Sequence, residues 1–407
     1  MSAVNKRPAR FTERNLEDRD RVAPLDGLRT IAVALVVLYH LNVPFFDGGF
    51  IGVNIFFALS GYLITSILLR ERRNTGRIAL GGFWLRRAIR LYPTLLVVVI
   101  VVSSLWTAIS VHSKSNVDVG TDALLALSYS GNVARWIWHK SMGPLAQTWS
   151  LAMEEQFYLV WPPLLAILLA RGVRRVVLLS TLSAAVVASS VGSWLMYKVP
   201  GGGATPDIYF SPVLNTGPLL CGAILALFVQ SPRVRRRLAG RLGLWFTAIG
   251  VGTLVTIELT LTGSWTKQPI VIGLVLPVVG VASTLLIAGL ASRQTVLSRV
   301  LSAHPLAWFG RHGSYGIYLW HVMLIALILP AVPGPLGIPA AILASVIVAI
   351  GTHYAIERPL QALRSRVHLR SAQATSTVPT RAMPDEPTQS DAGRELTATG
   401  PARSQFR

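Results

Sequence analysis

Two ionisable side chains stand where a lipid-facing segment should hold none. In "LDGLRTIAVALVVLYH" (residues 25–40), Arg29 and His40 bracket an apolar run and lie eleven residues apart. At about 100° per residue, eleven steps return to within roughly 20° of the same helix face, about 16 Å further along the axis. A neutral imidazole suits the removal of a hydroxyl proton near neutral pH, and it can also carry a transferred group. A guanidinium on the same face supplies fixed positive charge for a phosphate or a developing oxyanion. Ionisable groups at membrane depth are costly and generally face protein or a wet cavity. The plain alternative is a hydrogen-bonded structural histidine beside a snorkelling arginine.

Three further stretches carry similar chemistry. "QTWSLAMEEQFYLVWPPLL" (147–165) sets Glu154, Tyr158 and Trp161 on one helix face. A carboxylate there can orient a histidine or act as a base; the alternative is a helix-start glutamate favoured by the dipole. By depth, Asn54 in the second apolar run falls at the level of His40 and Glu154, so the three can meet. "RRAIRLYP" places Arg86, Arg87 and Arg90 just before the third apolar run. Such a cluster holds phosphates, or simply fixes orientation and attracts anionic lipid. "GSYGIYLWH" begins the ninth run with belt-like aromatics, yet His321 lies about two turns inside, where a belt does not explain it.

The elements that must position these residues are membrane spans. The chain is 52% hydrophobic and 14% charged, against about 25% charged in soluble domains. Ten apolar runs are long enough to cross a bilayer: about 28–45, 50–69, 93–111, 148–170, 174–196, 213–230, 242–262, 269–291, 314–333 and 335–356. The expected fold is therefore an all-α polytopic membrane protein of about ten helices over residues 25–360. It is flanked by a polar N-terminal tail (1–24) and a basic, then disordered, C-terminal tail (361–407). The apolar piece 123–138 holds Asn132 and Arg135 and reads as interfacial or re-entrant on the outer face. Of the 38 Lys and Arg, 33 fall on one side of this topology, which predicts cytoplasmic termini. The net charge of +20 is then topology, and nucleic acid is not needed as a partner. Cys221 is the single cysteine, so no internal disulfide forms, and no Cys/His spacing suggests zinc. A multispan proton-coupled transporter using buried His and Glu is the competing reading.

Five stretches in order, "LDGLRTIAVALVVLYH", "GGFIGVNIFFALSGYLIT", "RRAIRLYP", "TWSLAMEEQFYLVWP" and "SYGIYLWH", closely resemble the membrane acyltransferase-3 family across residues 25–360. The resemblance implies a ten-helix membrane O-acyltransferase in the plasma membrane. It would take an acyl group, acetyl first, from acyl-CoA in the cytoplasm to a hydroxyl of an envelope glycan, glycolipid or glycosylated small molecule. It implies catalytic roles for His40, Arg29 and Glu154, donor binding by Arg86, Arg87 and Arg90, and support from Asn54, Tyr158 and His321. No metal is implied. Two positions depart from the family pattern: Asn54 stands where an aspartate is expected, and Asn215 where an arginine is common. The end of the chain reads as a tail, not an SGNH-type esterase domain, which gives some weight to a small or lipid-linked acceptor.

Overall fold

A computed structural model describes residues 22–113, 118–198, 208–261 and 271–360. All belong to one compact unit; the two terminal tails lie outside the described residues, apart from 22–24 and their junctions. The architecture is all-α, with no strand among the described residues. In chain order the helices are α1 Ala23–His40, α2 Ile51–Thr75, α3 Leu80–Ser113, α4 Val119–Leu127, α5 Gly131–Trp138, α6 Thr148–Ala170, α7 Arg175–Lys198 and α8 Gly217–Phe228. They continue as α9 Pro232–Ala239, α10 Arg241–Thr260, α11 Leu276–Ser292, α12 Val296–Leu301, α13 His304–His312, α14 Ser314–Ala331 and α15 Gly337–Thr352. A π-turn over His353–Glu357 extends α15.

Among the described residues, eight helices are long and apolar enough to cross a membrane. The protein is a multi-pass membrane protein. The count of ten is approximate for two physical reasons. The run at 213–230 becomes the twelve-residue α8, which breaks by 103° into the basic α9. Glu154, Glu155, Gln156 and two internal prolines dilute the apolar character of α6. The segment 123–138 forms two short helices, α4 and α5, of nine and eight residues. At 1.5 Å per residue neither reaches across a hydrocarbon core of about 30 Å.

Local sequence accounts for the helix ends that frame the site. Pro24 and Asp26 occupy the first turn of α1, where a missing N–H costs nothing and a carboxylate meets the positive end of the dipole. Among the described residues, α2 and α8 make the most extensive helix–helix contact, and it depends on small residues. A side chain at Gly61 would strike the Leu219 carbonyl, and one at Gly222 would strike the Ala58 carbonyl. Small residues let helix backbones approach and pack where lipid gives no hydrophobic push. Around this pair a continuous core includes Val36, Phe57, Trp149, Met153 and Leu286. α14 closes the other side of α1 through Ile317 and Ile325 against Val33 and Val37.

Candidate active site

His40 is the last residue of α1, and its ring is exposed at the surface of the fold. Its Nδ1 lies 2.8 Å from the Val36 carbonyl. A carbonyl only accepts, so Nδ1 carries the hydrogen and the lone pair is left on Nε2. The His321 ring on α14 stands 4.9 Å away, edge to face at 74°. His321 is fully buried, and its Nδ1–H is shared between the carbonyls of Ile317 (3.1 Å) and Tyr318 (2.9 Å). Its Nε2 is buried without a hydrogen-bond partner. Two imidazoles from distant parts of the chain thus meet in the same tautomer, one open and one enclosed.

Glu154 does not join them. Its Oε1 accepts from Ser60 Oγ at 2.7 Å and its Oε2 from Tyr158 O–H at 3.1 Å. The expected orienting carboxylate of His40 is therefore replaced by a backbone carbonyl, and His321 is the residue beside it. The sequence reading missed Ser60, which lies on α2 about two turns beyond Asn54. Asn54 is completely buried, and neither amide atom has a hydrogen-bond partner. Arg29 lies one helix over, with its guanidinium 6.0 Å from the Phe56 ring and its Nε buried and unpartnered. A buried polar group without a partner costs about 1–3 kcal/mol, and Arg29, Asn54 and His321 each carry one.

The arginines of "RRAIRLYP" divide. Arg87 turns inward: its Nε donates to Glu155 Oε1 at 2.9 Å, and its guanidinium lies 3.4 Å from the Tyr158 ring centroid. Arg86 is half-buried and Arg90 exposed. By sequence, Arg87 precedes the third apolar run and Glu155 lies in the fourth; the structure puts them in contact. The reason is that α3 begins at Leu80, thirteen residues before the apolar run at 93. The basic turns are part of the span, and Arg87 Nε is paired with Glu155. Asn215, the other departure, donates to the Tyr209 carbonyl at 2.8 Å and is buried, a structural use of the amide.

Trp84 Nε1–H donates to the Tyr158 carbonyl at 3.0 Å, which fixes α3 against α6. Gln156 clamps the α4–α5 turn, donating to the carbonyl of Tyr129 (2.9 Å) and exchanging bonds with Asn132. Ser150 and Tyr318 share a hydrogen bond, and Gln147 reaches the Leu319 carbonyl at 2.8 Å. α6 is therefore pinned to the helix that carries His321.

The family model of the Acyltransferase domain, acyltransferase-3 type, matches residues 22–354. The chain belongs to the acyltransferase-3 family. Among its relatives is peptidoglycan O-acetyltransferase OatA of Listeria monocytogenes, 35% identical over 329 residues, covering 77% of this chain and 50% of that protein. YrhL of Bacillus subtilis, provisionally named a peptidoglycan O-acetyltransferase, is 34% identical over 352 residues, covering 83% of this chain and 54% of its own length. An O-acetyltransferase-like protein of Staphylococcus aureus, SACOL0978, also named provisionally, is 32% identical over 317 residues, 75% of this chain and 50% of its own. The chain spans about half the length of these curated relatives. No solved structure matches it.

Proposed function

We propose that the chain is a membrane O-acetyltransferase, moving an acetyl group from acetyl-CoA to a hydroxyl of a cell-envelope glycan or glycolipid. The observation that carries this is the His40–His321 pair, with Nδ1 of both rings held by backbone carbonyls. The open ring, His40, presents a lone pair on Nε2. His40 takes the acceptor's hydroxyl proton as the oxygen bonds the acyl carbon, then returns it to the departing thiolate. His321 backs His40 and excludes water from its inner side. Arg29, about three helical turns before His40, supplies fixed positive charge that steers the donor's phosphates. Arg86 and Arg90 hold donor phosphates, as guanidinium groups do well. Glu154, held by Ser60 and Tyr158, keeps lone pairs free for an acceptor hydroxyl.

Localisation follows the same logic. The eight spans, α6 and the bent α8–α9 pair together give an even number of crossings. The 33-to-5 division of Lys and Arg then favours a plasma-membrane protein with both termini in the cytoplasm. A cysteine probe placed in 75–80 should be shielded from an external reagent in intact cells, and one near position 117 should be labelled. The activity test is transfer from labelled acetyl-CoA in vesicles holding the purified protein and a glycan or lipid-linked sugar acceptor. An acetylated product that requires His40 supports the reading. Solute flux with no acetylated product sinks it.

A further inference from the structure

Away from the histidine pair, a cavity of about 240 Å³ opens between α3, α6 and the α4–α5 turn, lined by Trp84, Ser128, Tyr129, Glu155, Tyr158 and Leu159 among others. We propose that this cavity is a carbohydrate subsite that receives one pyranose ring of the acceptor. It rests on the O-acetyltransferase reading above and adds where the acceptor is gripped.

Four observations point to a ligand. The first is size: drug-sized sites run from roughly 300 to 1,000 Å³, so this cavity suits a single ring. The second is the lining. Trp84 and Tyr129 give aromatic surface for the C–H face of a sugar, and Glu155 gives a carboxylate for its hydroxyls. Only Oε1 of Glu155 is tied to Arg87, so Oε2 remains for a ligand. A carboxylate at the wall disfavours phosphates and acids and favours neutral hydroxyl donors. The third is the backbone. Tyr129 sits at φ +52°, a left-handed conformation that costs a non-glycine residue of order 1–3 kcal/mol and clusters at functional sites. Gln156 of α6 holds the Tyr129 carbonyl at 2.9 Å, so this break between two short helices lies level with the middle of α6. Non-helical backbone at that depth is tolerated where it is enclosed by protein or lines a cavity. The fourth is the mouth: Leu159 there is 62% exposed, an apolar edge suited to a sugar delivered on a lipid. The Tyr129 hydroxyl is weakly acidic even for a phenol. Burial, the largest cause, and the Glu155 charge both raise its pKa, so it acts as a neutral donor and acceptor.

The test is direct binding to the full-length protein in detergent, with no acetyl donor present. The probes are N-acetylglucosamine carrying a photoreactive diazirine, free and as its polyprenyl-diphosphate conjugate. Crosslinks should map to residues 84, 128–129 and 155–159. Leu159→Trp fills the mouth from an exposed position and should weaken binding about tenfold or more. Tyr129→Phe keeps the ring, removes one hydrogen bond, and should weaken it about three- to tenfold. Preference for the conjugate identifies a lipid-borne acceptor, and equal binding identifies a glycan chain; both support the subsite. Crosslinks elsewhere, or unchanged affinity in Leu159→Trp, overturn it. If the wild type transfers acetyl but does not crosslink here, the subsite fails and the activity stands. If it crosslinks here but never transfers acetyl, the subsite stands and the proposed activity fails.

Discussion

Among the described residues two histidine pairs stand out, and their difference indicates what each is for. At one end of α1, His40 and His321 pack edge to face at 4.9 Å. At the other end, beside α13, His312 and His353 pack edge to face at 4.7 Å. The first pair has Nδ1 of both rings on backbone carbonyls. In the second, His312 Nδ1 meets the Trp308 carbonyl at 2.9 Å, but His353 Nδ1 meets the Glu357 carboxylate at 2.9 Å across the π-turn. Viewed only as a carboxylate–histidine couple, the second pair looks the more catalytic. Access reverses that impression: His353 and Glu357 are 5% and 9% exposed, whereas His40 is open. A base must reach its proton within hydrogen-bond distance. The enclosed pair stabilises the junction of α13 and α15, and the open one can meet a substrate.

The largest expected effect separates the pairs by rate. His40→Ala should lower acetyl transfer by about 10²–10⁴-fold, the usual loss of general-base assistance, with the protein still folded in the membrane. His353→Ala should leave turnover of the surviving protein within about threefold, because its own ring is buried and tied to Glu357. Reversed results, a near-normal His40→Ala and an inactive but folded His353→Ala, would exchange the roles of the two pairs.

The next effect separates them by stability. Glu357→Ala removes the acceptor of a buried N–H and should cost about 1–3 kcal/mol, read as an earlier thermal transition in detergent. Glu357→Gln still offers an oxygen to Nδ1–H and should recover most of it. His40→Ala, at an exposed helix end, should shift the transition by no more than about 0.5 kcal/mol. The packing of α2 on α8 offers a calibration: Gly222→Val must push against the Ala58 carbonyl and should destabilise more than any of these.

Some of this was legible in the sequence. The apolar runs give the all-α membrane class, because a span must be long and apolar wherever it packs. The eleven-residue interval from Arg29 to His40 gives a shared helix face, because helical geometry is local. What failed was depth between helices. Arg87 and Glu155 are 68 residues apart, and no periodicity shows that α3 starts well before its apolar run. The choice of His321 over Glu154 as the neighbour of His40 likewise depends on how α14 and α6 pack, which hydropathy does not contain. His353 and Glu357 stand at i, i+4 in "HYAIE", a spacing that fits a pair, but the histidine falls inside a long apolar run and the glutamate just past its end. Tyr129 gave no signal, since a left-handed tyrosine has no mark in sequence.

The smallest expected effect concerns Arg87, which tests whether a satisfied polar group can be told from a working one. Its guanidinium does two things at once: it pairs with Glu155 and lies flat over Tyr158. Lysine keeps the charge but has neither the planar fork nor the stacking face. Arg87→Lys should therefore cost about 1 kcal/mol of stability, within the range for a cation–π contact and an imperfectly replaced ion pair. It should leave the KM for acetyl-CoA unchanged if Glu155 and the Tyr158 ring are the guanidinium's working partners. If Arg87 instead held the donor's phosphates, as its sequence context first suggests, the same variant would raise that KM severalfold with little loss of stability. Arg90→Lys is the natural companion: Arg90 is exposed on α3, and a role in donor binding predicts a raised donor KM. A shift of donor KM in Arg87→Lys and none in Arg90→Lys would mean that the inward-facing arginine, not the outward one, reads the donor.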